Sequence, residues 1–120
     1  MIFQRFRRPP GLGPVPPWGL PPLPGESEAA HQARMNEEYF KEQLLDNEEW
    51  WRRIGDRFDF KNKRVLDLGC GHGALSISIA QAGAAKVVGV DIEADYVGFA
   101  SQVLAERYSD LRHKAARIYE

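Results

Sequence analysis

Two rhythms of apolar and polar residues run along this chain. Over residues 35–58, Phe40, Leu44, Trp51, Ile54 and Phe58 stand three, four or seven apart. That spacing predicts a helix, and acids crowd its start, where the helix dipole is positive. Gly55 or the Asp46-Asn47 pair is expected to divide it in two. The polar turn Lys61-Asn62-Lys63 leads into Val65-Leu66-Asp67-Leu68, a short apolar run that predicts a parallel strand covered on both faces. Helical spacing returns over residues 74–82, with Leu75, Ile79 and Ala82 on one face and Gly83 as the stop. Lys86-Val87-Val88-Gly89-Val90-Asp91 predicts a second parallel strand. Tyr96, Val97, Ala100, Val103, Leu104 and Tyr108 predict a helix over 94–108, and 111–119 is expected to begin a third strand. This alternation is that of an α/β fold with a doubly wound parallel sheet.

The first 34 residues follow neither rhythm. All eight prolines lie between Pro9 and Pro24, so residues 1 to about 30 are expected to be disordered or polyproline-like. Pro14-Val15-Pro16-Pro17 resembles a ligand of proline-recognising domains. Arg5, Arg7 and Arg8 precede any acid, as in a targeting peptide, but the prolines disrupt the apolar or amphipathic segment that such a peptide needs. A solvated tail is favoured. Met35 stands just before the helical pattern, which marks it as a candidate translation start with residues 1–34 an upstream extension. The expected organisation is a tail over 1–34, a helical segment over 35–60 and the α/β part over 61–120.

Composition narrows the class. The chain is 43% hydrophobic and 28% charged with a net charge of -1, typical of a globular domain and without a global pull toward nucleic acid or an anionic membrane. Acids outnumber bases ten to five between Glu26 and Phe60. Cys70 is the sole cysteine, which excludes an internal disulfide and makes a cytoplasmic setting the simplest one. No apolar run is long enough to span a bilayer.

The candidate chemistry lies in Asp67-Leu68-Gly69-Cys70-Gly71-His72-Gly73. Glycines at every second position predict a sharp turn that lets a ligand come close to the backbone at a helix start. Asp91, about twenty residues beyond the loop at the end of the next strand, is placed to accept hydrogen bonds from a ribose.

This pattern resembles the class I S-adenosylmethionine-dependent methyltransferases. Asp67 to Gly73 is similar to the family's first motif, and Val87-Val88-Gly89-Val90-Asp91-Ile92 to its second-strand motif. The resemblance covers roughly residues 60–110 and implies the N-terminal half of a Rossmann-like domain. It implies a cofactor site made of Asp67, Gly69, Cys70, Gly71, Gly73, Asp91 and Ile92. In it the loop holds the methionine part of S-adenosylmethionine and Asp67 faces the ammonium, directly or through water. Asp91 binds the ribose and Ile92 packs on the adenine.

The alternative is an NAD-binding domain, since Gly69-x-Gly71-x-x-Ala74 satisfies the dinucleotide fingerprint. Gly73 adds a further glycine, however, and Asp67 would repel a pyrophosphate. Other candidates are weaker. His72 is expected to face solvent or the cofactor edge, Cys70 to fill space, and Trp50 and Trp51 to pack in the core rather than form a lid. Cys70 and His72 lack a second pair for zinc, and Ser76 and Ser78 lack a hydrolase elbow.

In the resembled family the groups that align the acceptor follow the fourth strand. The expectation is therefore a fragment or one part of a split protein, with catalytic residues and acceptor unknown, and with an apolar strand edge at Val65 to Leu68 open to pairing with another chain. A module that holds the cofactor without turnover is the companion expectation.

Overall fold

A computed structural model describes residues 2–4, 20–112 and 117–119 of the chain. In chain order the elements are β1 (Ile2–Gln4), α1 (Glu28–Ile54), β2 (Arg64–Leu68), α2 (Ala74–Gln81), β3 (Lys86–Val90), α3 (Ala94–Arg107) and β4 (Arg117–Tyr119). The sheet order is β1-β2-β3-β4 and every pairing is parallel. The predicted α/β succession is therefore present, including a strand within 111–119.

Two expectations about the amino-terminal region need correction. First, the β2 edge is not open along its length, because Ile2, Phe3 and Gln4 pair with Leu66, Asp67 and Leu68. Second, order begins well before Met35. Pro24-Gly25 forms a turn closed by Glu26 N–H to Leu23 O at 3.0 Å, with Gly25 at φ 76°, the conformation that glycine adopts without steric cost. Ser27 then caps α1, its Oγ accepting from Ala30 N–H at 3.1 Å, a contact worth about 1 kcal/mol in typical helices. Arg34 donates to both Glu26 oxygens and to Pro21 O. Its guanidinium, with help from Leu23 N–H, holds the Glu26 carboxyl well below the usual range. Residues 1 and 5–19 of the expected tail lie outside the described residues.

α1 runs unbroken through Asp46-Asn47. Asn47 does not compete for its own backbone, because its side chain donates to Ser78 Oγ on α2 at 3.1 Å. At its far end Trp50 and Trp51, half-buried, pack on Phe60 against the core, with ring centroids at 6.0 and 5.4 Å.

The strands alternate. Val65 and Asp67 on β2, and Val87 and Gly89 on β3, are buried, whereas Leu66, Val88 and Val90 are half-buried. The described helices thus leave one sheet face half-covered, where the sequence led us to expect cover on both. The buried face shares one core with Phe40, Leu75, Ile77, Ile79, Ala100, Val103 and Leu104. No helix among the described residues is long and apolar enough to cross a membrane.

Candidate functional site

Parallel register brings the carboxyl ends of β2 and β3 side by side, and the loop after β2 is fastened to the end of β3. Val90 O accepts from Gly69 N–H at 2.8 Å and from Cys70 N–H at 3.0 Å. Gly69, Gly71 and Gly73 have φ of 71°, 56° and 85°, all in the left-handed region that penalises a Cβ. The alternating glycines are therefore required by the backbone path itself.

Asp91 stands at the centre of the site. Its Oδ2 accepts from Gly71 N–H at 2.8 Å and its Oδ1 from Glu93 N–H at 3.0 Å. One carboxylate thereby ties the loop to the start of α3. Each oxygen retains further acceptor capacity, which suits a vicinal diol. Ile92 beside it is 89% exposed and Leu68, at the end of β2, 38% exposed, an apolar rim on which a flat base can lie.

Asp67 and Cys70 lie beneath this surface. Asp67 is 0% exposed and its Oδ2 accepts from Ser76 Oγ at 2.7 Å. Buried there, it braces the loop against α2. Cys70 is likewise 0% exposed and fills space beneath the loop. Gly89 makes this packing possible, because a Cβ there would meet Ser76 Oγ at 2.8 Å and the Cys70 side chain at 3.0 Å.

His72 turns inward, contrary to expectation. It is 1% exposed, with ring centroids 4.4 Å from Tyr39, 4.5 Å from Tyr96 and 5.1 Å from Phe99. Its Nε2 lies 3.0 Å from Asn36 Oδ1. Aromatic side chains from α1 and α3 supply the better environment for the imidazole than solvent does. Asn36, Tyr39, Ser76 and Tyr96 are thus members of the site's surroundings that sequence reasoning did not assign. The polar positions 36, 43 and 47 on one face of α1 were the available signal.

Several of the loop's amides are used within the protein. The N–H groups of Gly69, Cys70 and Gly71 donate to Val90 O and Asp91, and that of Gly73 to Cys70 O. A pyrophosphate site relies on such amides being available, and here a carboxylate holds the Gly71 amide. Asp91 offers acceptors for a polyol, and Leu68 and Ile92 an apolar rim for a flat base.

A family model described as "Methyltransferase domain" matches residues 59–118. The ribosomal protein L11 methyltransferase of Shewanella piezotolerans is 46% identical over 52 residues, 43% of this chain and 17% of that protein. The tRNA U34 carboxymethyltransferase of Pseudomonas savastanoi pv. phaseolicola is 49% identical over 41 residues, 34% of this chain and 13% of that protein. Among solved structures, the bifunctional kinase-methyltransferase WbdD aligns with a TM-score of 0.40 at 27% identity, over 65% of this chain and 15% of that one. The chain thus spans less than a fifth of the length of these curated relatives. With a family match over residues 59–118 and a glycine loop joined to the acid of the following strand, the chain belongs to the class I S-adenosylmethionine-dependent methyltransferases.

Proposed function

We propose that this chain is the S-adenosylmethionine-binding portion of a methyltransferase. The observation that carries this reading is the hydrogen bond from Gly71 N–H to Asp91, which ties the largely buried glycine loop to the β3 end, with Gly69 and Ile92 exposed beside it. In this reading Asp91 orients the ribose, Ile92 covers one face of the adenine, and the Gly69–Gly73 turn receives the methionine part. Asp67 acts from below, holding the loop through Ser76.

When bound, S-adenosylmethionine supplies a methyl on an already activated sulfonium, so the chain's task is to hold and orient the donor. The loop, Asp91 and Ile92 all serve the donor side. The named relatives act on different acceptors, a ribosomal protein and a tRNA, so the acceptor here is left open.

Calorimetric titration with S-adenosylmethionine and, separately, with NAD tests the reading. Saturable heat with the first alone is the expected result. Saturable heat with NAD alone would overturn it in favour of a dinucleotide site.

A further inference from the structure

Gln43 is a buried polar group that the fold leaves unexplained among the described residues. It is 2% exposed, and neither Nε2 nor Oε1 has a hydrogen-bond partner among the described residues. Leaving a buried amide unmet at both ends is unfavourable, and native proteins rarely do so.

Its position says what would meet it. Asn36, Gln43 and Asn47 are seven and four residues apart on α1, so they form one stripe along the helix. Gln43 stands about 10 Å along the axis from Asn36 and about 6 Å from Asn47. The two flanking residues have partners. Asn36 meets His72 in the glycine loop, and Asn47 meets Ser78 in the second turn of α2. Gln43 is thereby bracketed between the loop and that turn, over the start of α2, whose positive end favours a carboxylate.

We propose that Gln43 binds the amino-acid end of the cofactor, its Nε2 donating to the carboxylate and its Oε1 accepting from the ammonium. This rests on the S-adenosylmethionine reading given above. A primary amide offers both donor and acceptor, and so matches a group that carries one charge of each sign. Because Gln43 is covered in this form, ligand entry parts the seam between α1 and α2, which Asn36–His72 and Asn47–Ser78 hold closed. α1 is then a wall of the donor site as well as a core helix.

The test compares two ligands on the full chain. S-adenosylhomocysteine carries the amino-acid end, and 5′-methylthioadenosine lacks it. In Gln43→Leu and Gln43→Met, the Kd for S-adenosylhomocysteine is expected to rise by about tenfold or more, while that for 5′-methylthioadenosine stays within about twofold. The ligand-free variants are expected to melt no lower than the parent, because an unmet amide has been removed. Either variant that folds decides the matter. Unchanged affinity for S-adenosylhomocysteine, or equal loss for both ligands, would overturn the role of Gln43 alone. No binding of S-adenosylhomocysteine by the parent chain would overturn the cofactor reading and this inference with it.

Discussion

The two ends of α1 do different work on the same scaffold. At the carboxyl end Trp50 and Trp51 meet Phe60 through ring edges and faces, and Phe58 meets Phe60 with centroids 4.7 Å apart. At the amino end Asn36 and Tyr39 meet His72 through a hydrogen bond and a ring contact. Apolar packing of the first kind is non-directional and stabilises by area removed from water. Polar packing of the second kind stabilises less, but it demands one geometry. One end of the helix therefore holds the domain together, and the other sets the shape of the glycine loop.

The comparison breaks most visibly at Phe60, which is buried. Phe60→Ala is expected to cost about 3–5 kcal/mol, a large share of the stability of a small domain, measured as a drop in the urea midpoint. Whatever fraction stays folded should bind S-adenosylmethionine with its parent affinity. Weaker binding by the folded fraction would show that the two ends are not separable.

Asp91→Ala probes the opposite end. Loss of hydrogen bonds to a charged acceptor is expected to weaken S-adenosylmethionine binding by about 1.5–3 kcal/mol, on the order of ten- to a hundredfold in Kd by titration. Its effect on the urea midpoint should be smaller than that of Phe60→Ala. His72→Leu sharpens the contrast further, since it keeps an apolar side chain among Tyr39, Tyr96 and Phe99 but removes the contact with Asn36. A stability loss of about 1 kcal/mol is expected, together with broadened amide resonances at Gly69–Gly73 if the loop has lost its anchor.

The smallest effect belongs to the outer face of α1. Arg107 Nη1 donates to Glu37 Oε2 at 3.1 Å, and this guanidinium holds the Glu37 carboxyl below its ordinary range. A depressed folded-state pKa means that the contribution is present above the ordinary glutamate pKa and is lost as pH falls through the depressed value. The pair is largely solvent-exposed, so screening keeps it below about 1 kcal/mol. Arg107→Ala is therefore expected to remove only a shallow part of the acid limb of a stability–pH profile, read from urea midpoints between neutral and mildly acidic pH.

Much of this was legible from the residues. Gly69, Gly71 and Gly73 announced themselves because the path they follow requires positive φ, and Asp91 because a βαβ unit sets its distance from the loop. The start of α1 was hidden because it depends on Ser27 and on an Arg34–Glu26 contact across eight positions, in a region whose prolines argue for disorder. β1 is three residues long, too short to show a period. The inward turn of His72 depends on Tyr39 and Tyr96, which reach it from separate helices. Use of the loop's N–H groups depends on the Val90 carbonyl and the Asp91 carboxylate. These are tertiary facts that no local pattern carries.

The most direct test of the donor site is a titration of the 15N-labelled chain with S-adenosylmethionine, followed residue by residue. The account predicts saturable shifts at Gly69–Gly73, at Asp91, Ile92 and Glu93 and along the Asn36–Asn47 stripe of α1, with Phe58 and Phe60 unmoved. Shifts confined to the groove of Gln32, Gln102 and Glu106 between α1 and α3, with the glycine loop silent, would contradict it.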